Sequence, residues 1–458
     1  MRALLMRGYA LVLACTIAAM CACGTASAAG TPGATPKPPR PPGAAHVPAP
    51  VKVPFGTVPA VELVETVPVE SDLGNPALPS AHDVWLEMIR SATSKLDFEE
   101  FYVSDWPNEP TNDLLREIGA AAKRGVTVRW VVDRGMHETY PLPIDSLGRL
   151  PNVSVRVIDM RKIAGGIQHA KFFIVDGREV FVGSQNFDWR ALKHIHELGV
   201  RVRDERVARA FGGVFAMDWV ASDTTRAPAE RDAAIASVAN TARTACGPLP
   251  VEIMQNSNDV VKLAPSWSPH GFIPDSAQWD RDVLVRLIDA ARHEIVVQTL
   301  TYSIASHGAR DSSLDVALRR AAARGVTVKM VVSDWEKGTS GMAALQSLSK
   351  APNVSVKLGT VPQWSGGYIP FGRVEHLKYM VVDTLATWVG TANWEPSYFW
   401  GTRNLAVTMW NRPIAREART VFEASWRSKG AAPLSPDSTY APKIRGATPP
   451  PGMKVYGN

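Results

Sequence analysis

The sequence predicts an α/β protein built from two tandem copies of one domain, each an α-β-α sandwich, related by a pseudo-twofold. Three observations predict it. The stretch Gln168-His169-Ala170-Lys171-Phe172-Phe173-Ile174-Val175-Asp176 reads His-x-Lys-x4-Asp, and Gly183-Ser184-Gln185-Asn186 follows seven residues past the Asp. The same text returns as His376-Leu377-Lys378-Tyr379-Met380-Val381-Val382-Asp383, again with Gly390-Thr391-Ala392-Asn393 seven residues on. Shorter echoes flank both copies: Ala121-Ala122-Lys123-Arg124-Gly125-Val126-Thr127-Val128 matches 321–328, and Pro151-Asn152-Val153-Ser154-Val155 matches 352–356. The offsets are 200, 201 and 207. A small, growing offset marks a duplicated domain with insertions, whereas a solenoid repeats every ~20–50 residues.

The elements follow in order. His82 to Lys95 has helical apolar spacing, with Val84, Trp85, Met88 and Ile89 on one side, and Leu96 to Val103 reads as a strand. Thr111-Asn112-Asp113 starts a helix that Gly125 ends. Val126–Val132 and Val153–Val157 are strands, and Lys171–Val175 with Glu179–Val182 form a pair around the turn signal Asp176-Gly177. A strand at Leu198–Val202 and a helix at Glu205–Val220 complete the first copy, and the second half repeats this order.

These elements set the expected boundaries: an N-terminal domain at 53–235, a linker at 236–262, a C-terminal domain at 263–432 and a tail at 433–458. Residues 1–28 read as a secretory signal, with Arg2 and Arg7, an apolar run from Tyr9 to Ala22, and Ala26-Ser27-Ala28 as a small-residue site. The expectation is a secreted or periplasmic protein. An uncleaved anchor, or a lipoprotein anchor at the loose lipobox around Cys21, is the lesser alternative. Residues 29–52 are rich in Pro, Ala and Gly and read as an extended spacer.

Apolar content of 45% and charged content of 21% describe a chain with a real core. The formal charge is +6, or +4 without Arg2 and Arg7. That excess suits a phosphate-bearing substrate but falls far short of a protein that coats nucleic acid. Cys15, Cys21 and Cys23 lie in the leader, so Cys246 alone remains. One Cys excludes an internal disulfide and a multi-Cys zinc site.

His169 and Lys171 stand two apart on a strand and so share a face, as do His376 and Lys378. Asp176 and Asp383 fall on the opposite parity at a turn and read as scaffolding of the site. Lys and Asn are donors that suit phosphate oxygens. Two halves facing each other give two His, two Lys and two Asn around one centre, which equips a site to cleave a phosphodiester without a metal or other cofactor. One His attacks phosphorus and the other protonates the leaving oxygen, then activates water. Lys171, Lys378, Asn186 and Asn393 hold the non-bridging oxygens, with Ser184 and Thr391 as further hydroxyl donors. Glu197 is the expected partner of His169, and the matching position in the second half is the neutral Asn404. Trp189, Trp394 and Tyr398 follow the Asn positions and either stack on bases or pack in the core.

The paired motifs resemble the phospholipase D superfamily over nearly all of residues 60–430. Ile158-Asp159-Met160-Arg161-Lys162, Asn186-Phe187-Asp188-Trp189-Arg190, Glu197-Leu198-Gly199 and Ile369-Pro370-Phe371-Gly372-Arg373-Val374 are similar to one branch of it. That branch holds animal lysosomal 5′-exonucleases, poxvirus envelope proteins and bacterial relatives. The resemblance implies two phospholipase D-like domains with one active site at their interface, and a metal-independent phosphodiesterase working through a phosphohistidine. It implies single-stranded nucleic acid as substrate, with phospholipid head groups as the alternative. A binding protein without catalysis would fit the loss of a His or Lys from one copy, and both copies are intact.

Overall fold

The computed structural model describes residues 59–244 and 247–456. The expected leader, the Pro-rich spacer and Cys246 lie outside the described residues. No helix among the described residues is long and apolar enough to cross a membrane.

The first half contains β1 (Val61–Thr66), β2 (Lys95–Glu100), β3 (Val103–Ser104), β4 (Thr127–Asp133), β5 (Val153–Ile158), β6 (Lys171–Val175), β7 (Glu179–Gly183), β8 (Phe187–Asp188) and β9 (Glu197–Val202). Seven of these form a mixed sheet in the order β1-β9-β7-β6-β2-β4-β5, and β3 pairs with β8 apart from it. The second half contains β10 (Val251–Asn256), β11 (Asp259–Ser268), β12 (Glu294–Thr299), β13 (Ala305–Ser306), β14 (Ala309–Arg310), β15 (Thr327–Ser333), β16 (Val354–Gly359), β17 (Tyr379–Val382), β18 (Ala386–Gly390), β19 (Asn404–Trp410) and β20 (Ala431–Pro433). Its sheet order is β10-β11-β19-β18-β17-β12-β15-β16-β20. Removing the two edge strands β10 and β20 leaves the first topology, with β11 in the place of β1. In both copies the strand beside the motif strand, β2 or β12, runs parallel to its other neighbour and antiparallel to the motif strand.

The repeated text repeats its local chemistry. Gly125 and Gly325 take positive φ and end the helices before β4 and β15. Asn152 and Asn353 also take positive φ, and each Nδ2 donates to the helix carbonyl of Ala122 or Ala322 at 3.0 Å. The helices starting at Ala81, Glu205 and Arg412 are capped by side chains of Ser80, Asp204 and Asn411.

Each sheet buries both faces. Helices Ala81–Ser91 and Pro110–Lys123 cover the outer face of the first, where Trp85, Phe98, Trp130 and Phe173 interlock. Helices Asp280–Ala290 and Ser313–Ala323 do the same for the second. The inner faces share one apolar core: Leu63, Phe172 and Val200 pack in the same cluster as Tyr379, Val389 and Leu405. Helices Glu205–Ala221 and Arg412–Arg427 contribute Phe211, Phe215, Val421 and Phe422 to it. The expected α-β-α layering is therefore present twice, with the inner layers fused.

The segment 236–262 is not a linker. Helix Pro228–Thr244 runs through its start, and β10 with β11 forms a hairpin on the second sheet. Val251, Ile253, Val261 and Leu263 alternate inward and join the shared core. The expected tail is also held. Tyr368 N donates to Lys454 O at 2.8 Å, Tyr456 N donates to Tyr368 O at 2.9 Å, and Tyr456 Oη donates to Glu109 Oε1 of the first half at 2.7 Å.

Candidate active site

The two histidine segments meet across the halves by backbone pairing. Gln168 bridges Arg403, with His169 N donating to Arg403 O at 3.0 Å. His196 bridges Glu375, with His376 N donating to His196 O at 2.9 Å. Each motif strand thus starts beside the residues that lead into the other half's last large strand, β19 or β9. This crossing puts His169, Lys171, Asn186, His376, Lys378 and Asn393 at one buried centre.

The crossing also exchanges the partners. Both oxygens of Glu197 lie 2.8 Å from His376 Nδ1, so Glu197 serves the other half's histidine and not His169 as expected. His169 Nδ1 instead meets Asn404 Oδ1 at 3.1 Å. Nδ1 of each ring is thus engaged by a side chain of the other half. Lys171 Nζ donates to the carbonyl of His169 at 2.8 Å, and Lys378 Nζ donates likewise to the carbonyl of His376. Asn186 and Asn393 are buried and the Oδ1 atom of each has no hydrogen-bond partner. Such acceptors are costly to bury unpaired, and a phosphate oxygen, itself an acceptor, would be met by the Nδ2 donor of each amide.

Ser184 and Thr391 are not free substrate donors. Both are fully buried. Thr391 Oγ1 donates to Asn404 Oδ1 at 2.9 Å, and Ser184 Oγ holds the Leu198 backbone while supporting Glu197. The Gly before each hydroxyl has a steric cause: a Cβ on Gly183 would lie 2.6 Å from Gly199 Cα, and one on Gly390 would lie 2.7 Å from Ala406 Cβ. Trp394 is also corrected. It packs in the second half's core against Trp388. Tyr398 does reach the centre, with its ring 5.0 Å from His169.

Asp176 and Asp383 sit where parity put them, at the far ends of the motif strands. Asp176 accepts from Thr93 N, Ser94 N and Lys95 N, and from the Thr93 and Ser94 hydroxyls. Asp383 accepts from Arg292 N, His293 N and Glu294 N. Both take positive φ. They touch no group of the centre and lock the turn to the start of β2 or β12.

The centre is cation-rich and buried. Burial, then Lys171 and Lys378, push His169 well below the ordinary imidazole range. Burial and the same lysines do this to His376. Burial lowers Lys378 to about 7 and lifts Glu197 to about 8. Glu100, opposite Lys171 in the β2–β6 register, is a buried carboxylate that the sequence reading missed. Burial drives its carboxyl well above the usual range.

An aromatic run leads outward from His169. Phe101 lies 5.0 Å from the imidazole, and the next residue, Tyr102, stacks on Tyr140 at 5.3 Å. Tyr140, Trp106, Trp189 and Tyr456 wall a cavity of about 810 Å³. Trp189 and Arg190 of this wall belong to the loop that carries Asn186. Phe101, Tyr102 and Tyr140 were not foreseen, because they precede the motif and follow no repeated spacing.

Comparison with known proteins agrees with this geometry. The family described as "Cardiolipin synthase, PLD-like domain" matches residues 85–219 and 284–426. "Phospholipase D Z" of Dictyostelium discoideum is 28% identical over 400 residues, covering 82% of this chain and 91% of that protein. "5'-3' exonuclease PLD3" of Homo sapiens is 31% identical over 411 residues, covering 83% of this chain and 81% of that protein. The phosphatidylserine synthase of Haemophilus influenzae Rd KW20 shares the fold, with a TM-score of 0.54 at 14% identity over 77% of this chain and 85% of that one. Two matched halves, an intact motif in each and one shared centre make this chain a phosphodiesterase of the phospholipase D superfamily.

Proposed function

We propose that the protein is a 5′-exonuclease on single-stranded DNA or RNA, working without a metal through a phosphohistidine. His169 is the nucleophile. Burial, Lys171 and Lys378 favour the neutral ring over the weaker opposing effect of the Asn404 hydrogen bond, so with Nδ1–H held by Asn404, Nε2 keeps its lone pair. Glu197 favours a positive His376, which suits a proton donor. The phosphodiester anion offsets Lys171 and Lys378, and the proton shared by Glu197 and His376 moves onto the ring. His169 Nε2 then attacks phosphorus as the P–O bond to the leaving strand breaks, and His376 gives its Nε2 proton to that oxygen. In the second step His376 takes a proton from water, whose oxygen displaces His169 from phosphorus. The lysines and the two Asn stabilise the charge on the non-bridging oxygens.

The observation that carries the substrate reading is the aromatic run from Phe101 to the walls of the cavity, since base stacking on such faces is tolerant of sequence. The likeness to an exonuclease over four-fifths of both chains supports it. A second reading, hydrolysis of phospholipid head groups, is favoured by Leu142 and Trp106 at the cavity, which are 73% and 38% exposed. One experiment separates them. The protein, with chelator present, is given a 5′-hydroxyl single-stranded oligonucleotide and, separately, phosphatidylcholine vesicles, with His169→Asn and His376→Asn as controls. Stepwise shortening from the 5′ end without choline release is expected. Choline release alone overturns the nuclease reading, and loss of turnover on chelation overturns the metal-free mechanism.

A further inference from the structure

The two histidine segments are pinned to the opposite half by buried charge, but by different chemistry. Beside His169, Arg403 forms a two-armed ion pair with Asp218, 2.7 Å on each arm and wholly buried. Beside His376, the cation is His196. It is also wholly buried and carries a carboxylate on each ring nitrogen. Nδ1 meets Glu375 Oε2 at 2.5 Å, and Nε2 meets Glu65 Oε1 at 2.8 Å. A neutral imidazole has only one N–H, so a ring that donates from both nitrogens is the imidazolium.

The backbone ties this clamp to the centre. His196 bridges Glu375, so the next residues along, Glu197 and His376, face each other. Successive side chains on an extended segment point to opposite sides. The pair His196–Glu375 on one side and the pair Glu197–His376 on the other therefore share one register. Slippage or separation at the first pair moves the second.

We propose that His196 is a positioning residue: held as an imidazolium between Glu65 and Glu375 across the two halves, it sets the register that places Glu197 on His376. The catalytic meaning of that placement rests on the phosphodiesterase mechanism above. Among the described residues no other cation pairs with Glu65 or Glu375. Glu65 Oε2 accepts from Asn75 N, and Glu375 Oε2 accepts from Gln298 Nε2 at 2.9 Å. Gln298 is held in turn by Tyr379 Oη and Ser425 Oγ. Burial keeps the Tyr379 hydroxyl protonated, and Arg419 and Glu423 on helix Arg412–Arg427 act on that tyrosine. Glu197 is the remaining charged neighbour.

The clamp is sensitive to pH where its counterpart is not. Burial opposes the imidazolium, but Glu375 and Glu65 outweigh it and lift His196 to about 10. A raised value stabilises the fold fully below the ordinary imidazole range, and that contribution is lost as pH climbs toward 10. Arginine keeps its guanidinium charge throughout that range. The alkaline weakness therefore lies on the His376 side.

The test follows the two rings by nitrogen-15 NMR of histidine-labelled protein, with His196→Gln and His376→Asn assigning the signals. One ring is expected to hold both protons at pH 8 and to vanish in His196→Gln. Glu65→Gln keeps an oxygen acceptor for Nε2 but removes one charge, so it preserves the fold and brings deprotonation down by about one pH unit or more. The His376 Nδ1–H signal is expected to shift over the same pH interval as the His196 ring, in both the wild type and Glu65→Gln. Turnover of bis(p-nitrophenyl) phosphate gives the second arm. kcat, read at saturating substrate, is expected to fall over that interval, and His196→Gln to lose roughly tenfold or more in kcat. A His376 signal indifferent to His196 titration in folded Glu65→Gln overturns the proposal. Coupled signals in a protein that turns over no phosphodiester keep the positioning role and overturn the mechanism it was meant to serve.

Discussion

His376 takes its carboxylate from the other half of the chain: Glu197 holds both oxygens 2.8 Å from its Nδ1. The duplicate contact pairs His169 with Asn404 and lacks the charge. A pseudo-twofold centre is thereby made unequal by one position, and the inequality gives the two histidines separate work. Neither half holds a complete histidine with its partner, so neither half alone can carry the reaction.

Glu197→Gln should separate the two chemical steps. The amide still accepts from Nδ1–H but cannot support a positive His376. With p-nitrophenolate as leaving group the first step needs no proton, so a burst of one product per enzyme is expected. Water activation then limits, and steady-state turnover falls roughly a hundredfold or more. The phosphoryl group should be found on His169 in alkali-quenched His376→Asn, since the P–N bond survives base and is lost in acid. Phosphate on His376 in His169→Asn, with none on His169, reverses the assignment.

Substrate binding should weaken as pH rises. Burial lowers Lys378 to about 7, so its cation is present below that pH and lost above it. The cation binds phosphate oxygens, and the bound anion restores the proton. KM is therefore expected to climb above pH 7 by up to about tenfold per unit, while kcat at saturation changes less. Lys378→Met should raise KM at pH 6 and flatten this limb. An equal pH dependence in the variant removes Lys378 as its source.

Asp176→Asn should cost stability and spare the chemistry. Burial opposes the Asp176 charge, but donors from Lys95, Thr93 and Ser94 outweigh it and hold the carboxyl well below its usual range. A depressed value stabilises the fold above the ordinary carboxylate range and loses that contribution as pH falls. The amide keeps some acceptors and loses the charge, so about 1–3 kcal/mol is expected from a urea midpoint at pH 7, shrinking toward pH 3. kcat should stay within about twofold, which a catalytic Asp176 would not allow.

How much of this was legible depended on whether the information was local. The His, Lys and Asn positions were legible because duplication repeats them, and strand parity separated His169 and Lys171 from Asp176. Partner choice was not. Glu197 stands 28 residues from His169 and 179 from His376, and only the crossing of β9 with the segment before His376 overturns that proximity. Trp189 and Trp394 looked alike in sequence, yet they follow their Asn by three residues and by one. The first reaches the cavity wall, and the second turns into the core. His196 carried no signal at all, since its meaning lies in Glu65 and Glu375, far away on both sides.

The cavity walls should decide how a polymer is held. Trp106 is partly exposed and lies 6.1 Å from Trp189, and both wall the cavity, which is lined by none of the His, Lys or Asn of the centre. A stacked base is worth about 1–3 kcal/mol. Trp106→Ala should therefore raise KM for a single-stranded oligonucleotide by roughly five- to a hundredfold and leave the small diester unaffected within about twofold. Leu142→Asp places a charge at the exposed apolar edge of the same cavity. A nucleic-acid substrate meets that change as a repelling charge, so oligonucleotide KM rises and falls back with added salt, because exposed charges are screened. A lipid surface meets it as the loss of an apolar contact, so vesicle binding is lost at every salt concentration. An oligonucleotide KM unmoved by both substitutions takes the cavity out of the nuclease reading and leaves the strand to run elsewhere from His169.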